Sequence, residues 1–420
     1  MSDVRRNVRG AASLEVILKE TVRLVGRHGY DSTTISRITR ATERPASSIY
    51  WYFDTKDALI AAALESSYRS GPPENLPWRV FRQDTPVYDQ LFTYLEPELQ
   101  VAETEKPLRL GIMLALEGSA SIPDVQAPFR RRRAGAQERI AQWWSHAFAR
   151  DDAGTTDPAA VECMTALTLA FLDGHYVSDV AQDDQSPAER AEFVSSGLVG
   201  AYEALLAGGP AVIDDEPAIV ALDLATDDDP DAGLLRVTRA LVAENGYEGA
   251  TIGRICERSG LKRSSVYWRH RDKDSLVHAA VAEPFCRLFD PLTHLPAPSP
   301  RWKDDVCDAL ATVLHTARAN PDTVKSGLLL KAQRADPPTS AGEAIITNSL
   351  RIESVLALWL AHTPPLHGLQ DDLGTRIAWA IGRLLEGLML SPWLNSSPDD
   401  TVEVRDVVRL FRPMLDAVPL

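Results

Sequence analysis

Four cysteines in 420 residues leave little for a disulfide framework. Cys163, Cys256, Cys286 and Cys307 form no C-x-x-C pair and show no Cys/His spacing suited to zinc, so no disulfide scaffold, metal site or other cofactor is expected. A reducing cytoplasm is the natural setting for such a chain. No run of eighteen uncharged apolar residues occurs, so no membrane partner is expected; Glu15, Lys19 and Glu20 interrupt the apolar positions after Arg5, Arg6 and Arg9 too early for a secretory segment. Period-two alternation is scarce, which argues against sheet. Also missing are G-x-S-x-G, H-E-x-x-H and a phosphate-cradling glycine loop, so the chain does not read as an enzyme. Isolated histidines such as His146, His175 and His315 have no partners at catalytic or metal-binding spacing.

Positive charge is short as well, the net charge being −15. Taken alone, that excludes nucleic acid, because polyanions repel one another. The shortage is uneven, however. Residues 1–60 hold ten Lys/Arg against seven Asp/Glu, and residues 233–280 hold nine against five; these segments are +3 and +4, and the rest of the chain carries −22. Two basic islands sit on an acidic body.

What the chain does contain is one sentence written twice. Residues 47–59 read SSIYWYFDTKDAL and residues 264–276 read SSVYWRHRDKDSL. A shift of 217 aligns residues 17–60 with 234–277 without a gap, giving 17 identities in 44 pairs, where chance gives about three. A fainter echo at a shift of 213 sets Phe171-Leu172-Asp173-Gly174 against Leu384-Leu385-Glu386-Gly387. The period, about 210 residues, is far too long for a solenoid and means two copies of a whole unit. Between them, from Asp214-Asp215-Glu216-Pro217 to Asp227-Asp228-Asp229-Pro230, composition predicts an acidic linker over 211–230.

Each copy opens with a helix. Leu14, Ile17, Leu18, Thr21, Leu24 and Val25 fall on one face of a 3.6-residue repeat, and Leu234, Leu235, Thr238, Leu241 and Val242 reproduce it. Gly29 and Gly246 stop it, with Tyr30 and Tyr247 placed to fold back onto the helix. Thr34 and Thr251 stand as N-caps for a second helix, over 35–42 and 252–259. A tight turn and a third helix come next, completing helix, turn, helix. On the third helix Ser47, Tyr50 and Trp51 share one face, and Ile49 and Phe53 the opposite one. That leaves a hydroxyl, a phenol and an indole N–H pointing outward beside Ser48 and Arg44, all donors suited to phosphate oxygens and base edges. In the second copy the same face carries Ser264, Ser265, Tyr267 and Trp268, joined by Lys262 and Arg263. Lys56 and Lys273 open the next helix, within reach of a neighbouring phosphate.

These residues resemble the DNA-binding domain of the TetR family of bacterial transcriptional regulators. The resemblance is carried by Thr34-Ile35, Ile38, Ile49-Tyr50-Trp51-Tyr52-Phe53 and Lys56-Asp57-Ala58-Leu59, and by Thr251-Ile252, Ile255, Gly260-Leu261, Val266-Tyr267 and Lys273-Asp274-Ser275-Leu276. It covers about 50 residues of each half. It implies an all-α chain of two tandem units: DNA-binding heads at 10–60 and 231–278, each followed by a helical ligand-binding and dimerisation body at 61–210 and 279–420. Two departures stand out. Glu43-Arg44 replaces the turn glycine and its apolar neighbour in the first copy, and His270 replaces the Phe53 anchor in the second.

The bodies read as further helices, near 109–117, 128–149, 158–181 and 187–206, then 324–333, 344–361, 373–390 and 402–417. Arg130-Arg131-Arg132-Arg133 reads as a solvated helix face, and Trp143, Trp144, Met113, Trp379 and Met389 read as core. The resemblance implies that residues 165–177 with 188–205 and 377–390 with 404–414 pair the two halves, Gly174 and Gly387 allowing close approach. The expected partners are a double-stranded DNA operator, read by both heads of one chain as an internal pseudo-dimer over two non-identical half-sites, and a small hydrophobic effector that releases repression. The alternative is a helical sensor or scaffold whose heads no longer bind DNA.

Overall fold

The computed structural model describes residues 2–68, 78, 80–100, 107–117, 123–151, 157–178, 186–209, 219–222, 230–333, 337–364, 366, 373–395 and 404–417. The first half runs α1 (Ser2–Ser32), α2 (Ile35–Thr42), α3 (Ala46–Tyr50), α4 (Lys56–Ser67), α5 (Val87–Leu99), α6 (Pro107–Leu116), α7 (Pro123–Asp151), α8 (Pro158–Val177) and α9 (Pro187–Leu206). The second runs α10 (Pro230–Gly249), α11 (Ile252–Ser259), α12 (Arg263–Arg269) and α13 (Lys273–Val277), which passes through a π turn at His278–Ala282 into α14 (Glu283–Arg287). Then come a short α15 (Asp290–Thr293), α16 (Trp302–Ala319), α17 (Pro321–Ala332), α18 (Ser340–Ala361), α19 (Leu373–Leu394) and α20 (Val404–Asp416). Apart from α15 the second half repeats the first helix for helix, and no strand occurs among the described residues. α5 and α16 were not foreseen from the sequence. Most of the acidic linker lies outside the described residues; of it, Val220 N donates to Thr316 Oγ1 at 3.0 Å and Leu222 is buried.

The helix breaks at Gly29 and Gly246 are left-handed, with φ of 73° and 69°, but the chain resumes helical turns after each. These breaks turn Tyr30 and Tyr247 back toward the next helices. Tyr30 Oη donates to Asp57, and Tyr247 Oη donates to Asp274 at 3.1 Å. The repeated Lys-Asp therefore ties the end of one helix to the start of another in both copies. Thr21 and Thr238, polar residues inside the apolar stripes, are fully buried and satisfied by their own helices, donating to Ile17 O and Leu234 O.

The halves cross where α8 meets α19. A Cβ built on Gly174 would fall 1.8 Å from Arg383 O, and one on Gly387 would fall 1.6 Å from Ala170 O, so the two backbones touch directly at related positions. α9 meets α20 in the same manner, with Gly200 against Pro413. Polar contacts flank the crossing. Ser178 Oγ donates to Glu386 Oε2 at 2.5 Å, Lys331 Nζ pairs with Glu386, and Arg109 donates to the carbonyls of Lys331 and Ala332 at 2.9 and 3.1 Å. In the second half α18 has the length and mean hydropathy of a membrane span but is held on α19 by Arg383 and Glu353, 2.6 Å apart.

Head and body join at Glu117. Its Oε2 accepts from Tyr30 N at 2.8 Å, and its Oε1 occupies the space where a Gly29 side chain would stand. Burial pushes this carboxyl up to about 7, against the pull of the Tyr30 N–H and with Asp31 adding to the rise. An acid with a raised pKa binds its proton more tightly when folded. Its contribution is whole below the ordinary value of 4.5 and declines as the pH rises to about 7, by up to about 3 kcal/mol. Glu117→Gln keeps an acceptor for Tyr30 and removes the titration. Urea denaturation should therefore show stability falling from pH 5 to 7.5 in the parent chain and a flatter profile in the variant.

Candidate nucleic-acid interface

Thr34 and Thr251 are the expected N-caps, accepting from Arg37 N at 3.2 Å and from Arg254 N at 3.3 Å. They start α2 and α11, whose apolar sides present Ile38 and Ile255 to the head interiors. The turn after α11 is made by Gly260 at φ 71°, whereas the first head makes the same turn with Glu43 at φ 53°. Non-glycine residues pay about 1–2 kcal/mol for that conformation. Glu43→Gly should therefore raise the stability of the first head by about 0.5–1 kcal/mol, the gain being trimmed by the greater freedom of glycine in the unfolded chain. Thermal unfolding read at the exposed head tryptophan checks this.

α3 and α12 come next. Ile49 and Val266 are buried beneath them, at 0% and 1% exposure. On the opposite side Tyr50 and Trp51 are 53% and 83% exposed, and Tyr267 and Trp268 are 45% and 84% exposed. Ser47, Ser264, Arg44, Lys262 and Arg263 are exposed beside them; Ser48 and Ser265 are half-buried. Two indoles almost wholly in water contribute nothing to the heads' own packing. They are large apolar groups left available for contact with a partner.

Lys56 and Lys273 are engaged within the heads: Lys56 Nζ donates to Tyr30 O at 2.9 Å and lies 3.7 Å from the Tyr30 ring centroid, and Lys273 Nζ lies 4.2 Å from that of Tyr247. Burial lowers the pKa of both ammonium groups. These contacts brace the heads. His270, in place of Phe53, sets its Nε2 3.2 Å from Asp231 Oδ2, where the end of α12 meets the start of α10.

The heads also touch each other, a contact that sequence reasoning missed. Arg37 Nη1 lies 3.2 Å from Glu248 Oε2, and Arg254 Nη1 lies 3.9 Å from Asp31 Oδ2. Under the shift of 217, Arg37 corresponds to Arg254 and Asp31 to Glu248. The two ion pairs are therefore images of one another, the signature of a two-fold contact. His28 Nδ1 adds a third contact, 2.8 Å from Glu248 Oε1. Hydrogen bonding from His28 and the nearby Arg37 charge outweigh burial and hold Glu248 below the ordinary carboxylate range. The signal was present in the repeat, but only knowledge of which surfaces face the axis exposes it.

Comparison with known proteins bears on these two segments. A family model described as bacterial regulatory proteins, tetR family, matches residues 17–63 and again residues 234–280. No curated protein matches the chain. Each match runs from the first helix of a head into the helix that leaves it, and so includes that head's outward face. One chain therefore carries two tandem segments that are similar to the N-terminal DNA-binding unit of the tetR family of bacterial regulatory proteins.

Proposed function

We propose that the two heads of one chain read two adjacent half-sites of a DNA operator together, as an internal pseudo-dimer. In this reading residues 10–60 and 231–278 are the reading heads, residues 61–210 and 279–420 the bodies, and 211–230 the tether. The observation that carries the reading is the paired outward face, Ser47, Tyr50 and Trp51 on α3 and Ser264, Tyr267 and Trp268 on α12, with both indoles more than four-fifths exposed. Arg44, Lys262 and Arg263 supply cations beside it. The reciprocal ion pairs between the heads, Arg37 with Glu248 and Arg254 with Asp31, support a two-fold arrangement. Helices so related suit successive major grooves, one turn or about 34–36 Å apart. Because both heads are on one chain, their pairing costs no association entropy and does not depend on protein concentration.

The half-sites differ in this account. Pro45 and Ala46 at the start of α3 occupy the places of Lys262 and Arg263 at the start of α12. The second head thus carries two cations there, against Arg44 alone in the first, and the operator need not be a palindrome. Binding of a small molecule between the body helices changes DNA affinity by favouring one placement of the heads over another. Repression relieved by that molecule is the mode proposed.

A mobility-shift series on DNA flanking the coding region tests the reading. The expected result is sequence-selective binding that weakens steeply with salt. Lys262→Ala and Arg263→Ala should each reduce the salt slope by about one. Binding absent from every flanking fragment, or indifferent to salt, would leave the scaffold reading in its place.

A further inference from the structure

The four-arginine run on α7 is not uniformly solvated. Arg130 and Arg131 reach Gln126 and Glu65, and Arg132 lies over the Tyr68 ring, but Arg133 turns inward. Its Nη2 donates to Asp173 Oδ2 at 2.6 Å, both side chains being 7% exposed. Its Nε and Nη1 are buried with no hydrogen-bond partner among the described residues. Guanidinium donors are rarely left so, because a buried N–H without an acceptor is costly and the group cannot shed its charge.

Beside Arg133 lies a cavity of about 620 Å3, built from both halves. α7 and α8 supply Arg133, Thr165 and Leu169; α16, α17 and α19 supply Leu314, Val324 and Met389. The volume falls in the range of small-molecule sites, which are typically apolar with a few placed polar groups. Two other hollows, about 50 and 20 Å3, are too small for an organic ligand. The cavity adjoins the crossing of the halves: Ala170 is in its wall, and Ala170 O is the atom against which Gly387 packs.

We propose that this cavity binds one amphiphilic organic monoanion per chain, its charged head held by Arg133 and its apolar body lying against Leu169, Leu314, Val324 and Met389. The ends of this assignment are fixed by chemistry. A guanidinium matches a carboxylate or sulfonate head, and the apolar part of the wall favours a chain or ring; Gln137, Glu162, Thr165, Arg318, Ser391 and Asn395 are the wall's other polar members. Burial pushes the Asp173 carboxyl up to about 6 despite the adjacent guanidinium, so a second acid arriving at Arg133 is accommodated by a proton on Asp173. Since its walls come from both halves, a ligand here favours one placement of the halves over others. That consequence, and only that, rests on the regulator reading above.

The test uses the full chain and two fluorescent probes with one ring system, anilinonaphthalene sulfonate and the uncharged phenylnaphthylamine. The parent chain should bind one sulfonate. Arg133→Gln/Asp173→Asn, which removes both buried charges together, should bind it about 10- to 100-fold more weakly while phenylnaphthylamine changes by less than about twofold. Ala166→Trp, on the cavity wall, should reduce binding of both probes. Unchanged sulfonate affinity in the double variant, or two sulfonates per chain, overturns the proposal. A competition on the parent chain is independent of any variant's folding: decanoate should displace the sulfonate at least about tenfold more effectively than decanol, and equal displacement overturns the anchor. Mobility shifts with and without decanoate separate the two readings. Arg133-dependent binding that leaves DNA affinity unmoved supports the site and removes its regulatory consequence. Arg133-dependent binding in a chain that ignores DNA supports the site and removes the regulator reading alone.

Discussion

Gly387→Ala is expected to cost about 3 kcal/mol or more and to abolish joint use of the two heads. The added Cβ would fall 1.6 Å from Ala170 O and 2.3 Å from Ala170 C, backbone atoms that no rotamer change can move aside. α8 and α19 must then separate by more than an ångström along a contact that holds the halves together. Close-packed interiors do not stretch by such amounts without losing contacts on both sides. Gly174→Ala should act alike, since its Cβ meets Arg383 O at 1.8 Å. Gly26→Ala is the control, with nothing within 4 Å of its Cβ on α1; there the helix should gain about 0.5–1 kcal/mol. Urea unfolding of the three variants checks the series. A small loss for Gly387→Ala would mean that the crossing is not the main joint.

Ile49→Asp is expected to unfold the first head while sparing the rest. Ile49 is fully buried in a small cluster with Ile17, Leu24, Ile38 and Leu59, separate from the main core. A buried, unpaired carboxylate costs several kcal/mol, and so small a core has little else to hold it. The second head differs, because Val266 and Leu276 are continuous with the body's core. Hydrogen exchange should show α2 and α3 unprotected with α11 and α12 unchanged. Specific DNA affinity should fall by about 1,000-fold or more, toward the non-specific level. Affinity that survives the substitution would make the first head a passenger.

Much of this was legible in the sequence because local chemistry marked it. α2 and α11 begin where Thr34 and Thr251 predicted, each accepting from the first turn, and α9 fills the expected 187–206, where Ser186 forms a reciprocal capping box with Glu189. The outward and inward faces of α3 and α12 followed from the 100° step between residues. α5 was less visible, since Pro97 sits inside its last turn and Pro86 just before its first. Arg133 was misread for a different reason. A run of four arginines has no internal mark to say which one turns inward, and the deciding partner, Asp173, lies forty residues on in another helix. The ring contacts of Lys56 and Lys273 were hidden for a like reason, since it is the glycine break that brings a tyrosine beneath each of them. Contacts between halves, such as Arg37 with Glu248, depend on a symmetry axis that no local pattern displays.

The central claim is that a single chain supplies both members of the reading pair. Sedimentation equilibrium of the complex with an operator duplex, across a wide range of protein concentration, measures it most directly. The account predicts one chain per duplex at every concentration, with footprinting showing two adjacent protected major grooves. Two chains on each duplex, assembling only as protein concentration rises, would contradict it.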